Sequence, residues 1–375
     1  MATYFVRADA PGTGDGSAAS AASSWTWSQL MTALGATIAA GDVIYLVSAG
    51  GKFNLTSTDA PTRDGTVAAP ILLLGCKSAA GDLDATTYKA DGSLDDTDYP
   101  VVSYTGASGR IAFGVDYMIM QHIHWKVQDY NGTGVALGNN GAAIGCVFEH
   151  NGTGANVIVT GAGTIGDIID CDFKMGGASG AYAAIDTGGG DITRCRFLTW
   201  RTRGVRVTSG SASVTGCLFR AGTGNAIEWQ STSTTLEGPS IKNNTIVGAT
   251  IGISLPNAAH TRVLQIINNV IVNCTTAGIQ SAYDATGQLA AIIRGNYFRN
   301  NGVNVDGYDT WLAGIAGTDN NVFATTGSDA SDFASPGTND YRIKTTSPAA
   351  TAGTGGVPSG ATGVEFARRE RPRRP

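Results

Sequence analysis

Cys146-Val147-Phe148, Cys171-Asp172-Phe173, Cys195-Arg196-Phe197 and Cys217-Leu218-Phe219 are followed by Asn244-Thr245-Ile246, Asn269-Val270-Ile271, Asn296-Tyr297-Phe298 and Asn321-Val322-Phe323. All eight repeat one pattern, a small residue two positions before a large apolar one. The leading residues are 25, 24, 22, 27, 25, 27 and 25 positions apart. A fixed period in the twenties marks stacked units, none of which can bury its apolar side without its neighbours.

A second echo identifies the unit. It runs Val135-Ala136, Val157-Ile158, Ile185-Asp186, Val205-Arg206, Ile227-Glu228, Ile253-Ser254, Ile279-Gln280 and Val305-Asp306. Each repeat therefore holds at least two short strands, with the period-two alternation of a half-buried strand. No helical stripe and no leucine consensus runs through the repeats. The expected fold is all-β, a parallel β-helix (solenoid) of about ten turns stacked ~4.8 Å apart, making a rod roughly 50 Å long.

Composition agrees. Gly makes up 52 of 375 residues, about twice its usual share, as tight corners between short strands require. Charged residues are 15% and apolar residues 42%, which excludes a disordered chain, and no apolar run reaches the roughly 20 residues of a membrane helix. The net charge of −5 argues against nucleic acid as a partner. A single elongated domain is expected, because a solenoid escapes the surface-to-volume limit of globular cores. Met1-Ala2-Thr3-Tyr4-Phe5-Val6 lacks the basic and apolar regions of a secretion signal. The protein is therefore expected to act where it is made or to leave by another route such as host lysis, although a leader already removed would leave the same opening.

The leading residues should stack in a column. Cys146, Cys171, Cys195 and Cys217 then form a reduced ladder, since a buried thiol packs as a small hydrophobe and side chains in register rarely present disulfide geometry. From Asn244 the column becomes amide, and stacked amides can hydrogen-bond along the rod, satisfying groups that are costly to bury.

Several segments carry a family resemblance. Tyr4-Phe5-Val6, Gly12-Thr13-Gly14-Asp15-Gly16-Ser17, Trp25, Ala40-Gly41-Asp42-Val43-Ile44-Tyr45-Leu46 and Ala69-Pro70-Ile71 resemble the opening of right-handed parallel β-helix proteins of the pectate-lyase-like superfamily. Asn339-Asp340-Tyr341-Arg342-Ile343-Lys344 with Ser347-Pro348-Ala349 resembles the segment that closes such rods. The resemblance implies a right-handed coil with an N-terminal cap containing a short helix over residues 1–70, the β-helix over 71–325, and a closing segment with a basic tail over 326–375. It is specific for fold and weak for activity, since the superfamily includes lyases, hydrolases, epimerases, bacteriophage tailspikes and adhesins.

Chemistry is then sought on the outer faces. Aligned repeats put Asp170 and Asp172 on one strand, with Arg194 and Arg196 in the same places one turn later. Asp170 and Asp172 could begin a calcium site, but arginines one rung away would repel the cation. Cross-strand ion pairs that fix register are the reading taken. Asp186, Arg206 and Glu228 take matching places on three turns. The two carboxyls would lie about 9.6 Å apart between backbones, near the upper limit of an inverting glycosidase pair, with Arg206 filling the gap between them. We read the set as a polar groove able to hydrogen-bond a sugar, with Trp200 and Trp229 as stacking platforms; alternatively the tryptophans simply cover the rod. If the protein is an enzyme, Asp186, Glu228 and Arg206 are the catalytic candidates.

Arg342-Ile343-Lys344 matches a short signature of polygalacturonase-type hydrolases, without that group's paired aspartates and Gly-His-Gly. Of the four histidines, only His122 and His124 are placed on a common strand face, too few for a metal site. The tail places Arg368, Arg369, Arg371, Arg373 and Arg374 on an acidic protein, a solvated end or a docking point for an acidic neighbour or a second copy.

Two functions from different classes remain. The first is a non-catalytic structural and recognition rod on a bacteriophage virion (tailspike, fibre or capsid decoration), a homotrimer by resemblance, with other virion proteins and a cell-surface glycan as partners. The second is a secreted polysaccharide lyase or glycoside hydrolase. No cofactor is expected; calcium enters only with the lyase.

Overall fold

In a computed structural model of the protein, parallel strands stack rung upon rung into three sheets, A, B and C. The structure describes residues 1–56, 61–83, 86–89, 93–105, 111–113, 115–127, 134–151, 159–161, 165–176, 183–208, 212–230, 240–255, 264–281, 291–306, 321–338, 340–353 and 360. Among them, sheet A runs from Thr3–Arg7 to Ala291–Arg294, sheet B from Phe53–Leu55 to Val322–Ala324, and sheet C from Ile111–Phe113 to Val303–Asp306. One lap visits A, B and C in turn. Ile168–Ile169, Asp172–Met175 and Ala183–Thr187 are followed by Gly190–Thr193, which pairs in parallel with the first.

Each repeat thus carries three strands. Among the described residues nine laps reach all three sheets, close to the ten expected, and five strands of sheets A and B precede the first of sheet C. One echo is displaced: Val159 pairs with Val135 and Ile185, so the rung is Val159-Thr160. The expected Val157-Ile158 lies outside the described residues.

The corner between sheets A and B is a single residue. His122, Gly145, Asp170, Arg194, Gly216, Asn243, Asn268 and Gly295 occupy it in successive laps, all with φ between 52° and 66°. Gly, Asn, Asp and His are the residues that accept this left-handed region at least cost. Arg194 is the exception, and its guanidinium is fixed to the Asp170 carboxylate one turn away by hydrogen bonds of 2.8 and 2.7 Å.

The residue after each corner is the ladder residue, and it is buried. All six cysteines are free thiols. Cys171, Cys195 and Cys217 donate to the carbonyls of Ala143, Ile168 and Ile192 at 3.5, 3.3 and 3.5 Å, and burial pushes the Cys171 and Cys217 thiols well above their ordinary range. The amides do more. Nδ2 of Asn244, Asn269 and Asn296 donates to Oδ1 of the next asparagine at 3.0, 2.9 and 3.0 Å. The same oxygens accept the backbone N–H groups of those three residues at 3.0, 2.9 and 3.0 Å. The remaining amide hydrogens reach the carbonyls of Val214, Ile241 and Ile266 at 2.8, 3.0 and 2.9 Å. Where the column changes, Asn244 Oδ1 accepts the Cys217 N–H at 2.9 Å.

Inside, Phe148, Phe173, Phe197 and Phe219 stack with ring centroids 5.1, 4.9 and 4.4 Å apart. At the N-terminal end the helix Trp27–Ala36, started by a Thr26/Gln29 capping box, adds Leu30, Ala33 and Leu34 to the same core. Sheet B is covered on its outside as well. Leu94 and Tyr99 pack on Val147, while Phe333, Ala349 and Ala352 pack on Val247, Val270, Val272 and Tyr297.

Candidate functional site

On sheet C, Ile185, Val205, Ile227, Ile253 and Ile279 point into the core. The period of two turns the next residue of each strand outward. Asp186, Arg206, Glu228, Ser254, Gln280 and Asp306 are therefore in register on six successive rungs, a polar ladder about 24 Å long by the rung spacing. The expected alignment of Asp186, Arg206 and Glu228 is present, but the charges pair differently from a bridge by Arg206 alone. Arg206 forms an ion pair with Asp186, and Arg203 Nε donates to Glu228 Oε2 at 2.5 Å. Asn225 Nδ2 reaches the same oxygen at 3.0 Å, and Gln230 donates to Oε1. The four charged side chains are between 10% and 20% exposed, so the groove presents edges of fixed planar groups. Further along, Gln280 donates to Asp306 at 2.9 Å.

The tryptophans are not platforms beside this groove. Trp200 and Trp229 are 1% and 3% exposed and belong to the core. Trp200 lies over the backbone of Gly222, where an added Cβ would come within 1.8 Å of the ring, and meets Phe219 edge-on at 5.8 Å. A large ring and the glycine one turn later are complementary shapes. That pairing is the sequence signal for burial.

Asp170 and Asp172 do not share a strand. Asp170 is the left-handed corner, and only Asp172 belongs to the strand that follows. Each faces its expected arginine: Arg194 holds Asp170, and Arg196 holds Asp172 at 2.5 Å. Asp172 points outward from the coil yet is fully buried, because the segment around Leu94 lies over it and the Leu94 N–H donates to its Oδ2 at 2.9 Å. Burial drives the Asp172 carboxyl above its usual range, against the pull of Arg196 and the Leu94 amide. The Arg196 guanidinium also sits 5.2 Å from the Tyr88 ring centroid. Among the described residues no group of three or more His, Cys, Asp or Glu side chains is arranged to hold a metal ion.

His122 and His124 part company in the same way. His122 is a corner residue whose Nε2 meets Thr86 Oγ1 at 3.0 Å, whereas His124 begins the sheet B strand His124–Val127. There it forms a cluster that sequence reasoning missed. His124 Nδ1 lies 3.2 Å from Asp96 and Nε2 3.0 Å from Glu149, while Lys126 reaches Glu149 at 3.1 Å and Lys89 reaches Asp96 at 2.8 Å. The hydrogen bond from His124 is the main cause that lowers Asp96 and brings Glu149 down to about 2. Burial pulls the His124 ring down, but its bonds to the two carboxylates outweigh burial and its net shift is upward. Glu149 was findable as the residue one rung beyond Lys126 and next to His150. Asp96 was not, because the stretch that supplies it is outside the repeat.

Arg342 lies on an antiparallel strand pair beyond the coil and binds its own neighbour Asp340 at 2.8 and 2.5 Å. Arg368, Arg369, Arg371, Arg373 and Arg374 lie outside the described residues. Among the described residues no helix is long and apolar enough to cross a membrane.

No protein-family signature matches the chain, and no curated protein is similar to it in sequence. Its fold is similar to that of the pectate lyase Pel9A, with 14% identity, coverage of 96% of each chain and a TM-score of 0.54. Looser overlays join it to a PL6-family alginate lyase, at 14% identity over 81% of this chain and 49% of that one with a TM-score of 0.38. Another is to tailspike protein 3 of bacteriophage CBA120, at 12% identity over 86% and 61% with a TM-score of 0.25.

Proposed function

We propose that this pectate-lyase-like right-handed β-helix is a non-catalytic rod that recognises a glycan along sheet C. It would be carried as a homotrimer on the surface of a bacteriophage particle as a tailspike, fibre or capsid decoration. The observation that carries the non-catalytic part is the state of the carboxylates. Asp186 and Glu228 each accept from an arginine, Arg206 and Arg203, and Asp170 and Asp172 do the same with Arg194 and Arg196. A general acid needs a protonated carboxyl and room for substrate, and a calcium site needs converging free carboxylate oxygens. Paired, planar groups on five of the six rungs, with the Ser254 hydroxyl on the other, suit hydrogen bonding to sugar hydroxyls instead. The particle assignment rests on the resemblance set out above, in which such rods serve as tailspikes.

The second reading, a polysaccharide lyase or glycoside hydrolase, is favoured by the full-length similarity to a pectate lyase. In it, Asp186, Glu228 and Arg206 would be the reacting groups and calcium the possible cofactor, with Asp170 and Asp172 poor ligands because of their arginines. The two readings separate on incubation of the full chain with acidic and neutral polysaccharides, with and without calcium, following new reducing ends and the absorbance of unsaturated products. We expect neither. Product formation that Asp186→Asn or Glu228→Gln abolishes would replace our reading with the enzyme. Mass spectrometry of purified virions tests the particle assignment, and the native mass in solution tests the trimer.

A further inference from the structure

Where the C-terminal segment folds back on sheet B, a cleft of about 630 Å³ opens between it and the coil. Its walls include Asn273, Arg299, Asn300, Asp329 and Tyr341. Asn273 and Asn300 are the residues at which two successive laps leave sheet B, both left-handed with φ of 57° and 52°. Their side chains are linked, Asn300 Nδ2 donating to Asn273 Oδ1 at 2.9 Å, and Asn273 Nδ2 donating to Asp329 Oδ1 at 2.8 Å. Arg299 sits behind them, 4% exposed in its side chain, bound to Asp332 and Asp329 at 2.6 Å each. These groups are therefore fixed before any ligand arrives.

Part of their hydrogen-bonding capacity is open. Among the described residues, Asn300 Oδ1, Asp329 Oδ2 and the Tyr341 hydroxyl have no hydrogen-bond partner. Two acceptors and a hydroxyl beside an aromatic ring, in a shallow, open cleft with prefixed geometry, suit a ligand that offers several hydroxyl donors and an apolar ring face. A sugar ring has both. The local charge selects among sugars. Arg299 is engaged by two carboxylates, so it offers no free cation to a uronate, and the unpaired oxygen of Asp329 would repel one.

We infer that this cleft is a second saccharide site, independent of sheet C, which takes a single neutral sugar unit. The test is saturation-transfer NMR of the full chain with the methyl glycosides of glucose, galactose, mannose and glucuronate. At least one neutral glycoside gives signal, and Asn300→Gly and Tyr341→Phe reduce it severalfold both in the natural chain and on an Arg206→Gln background that disables the sheet C groove. Asn300→Gly keeps a residue that accepts the corner's φ, and Tyr341→Phe keeps the ring that packs on Phe333, so both leave the fold testable. Absence of signal from every neutral glycoside, signal insensitive to both variants, or preference for the glucuronide would overturn the assignment. Because the Arg206→Gln background silences the sheet C groove, failure of one site is distinguishable from failure of the other.

Discussion

Asp172–Arg196 on sheet B and Asp186–Arg206 on sheet C are, in sequence terms, the same interaction: an acid and a base in register on adjacent rungs. The molecule treats them differently. The sheet B pair lies under the segment around Leu94, with side-chain exposures of 0% and 4%, whereas the sheet C pair keeps 15% and 20%. Stacking decides which charges meet. What lies over the rung decides whether the pair is structure or surface.

The largest effect is expected where the cover is complete. Arg196→Met strands the Asp172 carboxylate in a site closed to solvent and should cost about 3–5 kcal/mol, read as a fall in the denaturant midpoint. Adding Asp172→Leu should restore much of it, since a buried pair replaced by apolar groups is often neutral. A loss below ~1 kcal/mol for Arg196→Met would mean that water reaches this face of sheet B.

Next comes the corner column. Asn269→Ala removes the acceptor of the Asn244 N–H and Nδ2 groups and the donor to the Ile241 carbonyl, and should cost about 3 kcal/mol, at about 1–3 kcal/mol for each orphaned buried group. Cys195→Ala, which removes only a thiol from the same column, should cost ~1 kcal/mol. Equal losses for the two would contradict the difference between the ladders.

The His124 clasp is smaller and depends on pH. The upward shift of His124 means that its stabilisation is full below its ordinary value of 6.5 and fades as pH rises through the raised folded value. The lowered Glu149 contributes above its ordinary 4.5, and that contribution fades as pH falls through about 2. The clasp is therefore strongest between pH 4.5 and 6.5. His124→Gln should flatten the alkaline limb of a plot of melting temperature against pH, and an unchanged limb would remove the clasp from the account. Smallest is Asp186→Asn, at ~0.5 kcal/mol or less, as for a solvent-touched ion pair. A loss as large as that of Arg196→Met would erase the contrast between the two faces.

Much of this was legible in the sequence. The period gave the coil, the Cys and Asn columns, and the alignment of Asp186 with Arg206 and Glu228, because stacking in register is a local property repeated eight times. Asp170, His122 and Trp200 escape the alternation, whereas Trp229, two positions after the inward Ile227 on the strand Asn225–Trp229, stands on the side that alternation gives to the core. Alternation assigns a side to every strand residue, but a one-residue corner interrupts it, and a ring can turn inward over a glycine on the next rung. The glycine, asparagine, aspartate or histidine before most ladder residues was the available sign of the corner. The cover on sheet B was not legible, since Asp96, Leu94 and Phe333 come from stretches that do not repeat.

The most direct test of the central claim, that sheet C is a binding face without chemistry, is affinity electrophoresis of the full chain through gels containing single polysaccharides. We predict retardation by at least one polysaccharide that stays uncut, lost in Arg206→Gln and kept in Asn300→Gly. Shortening of the retarding polysaccharide, or retardation unchanged by Arg206→Gln, would contradict it.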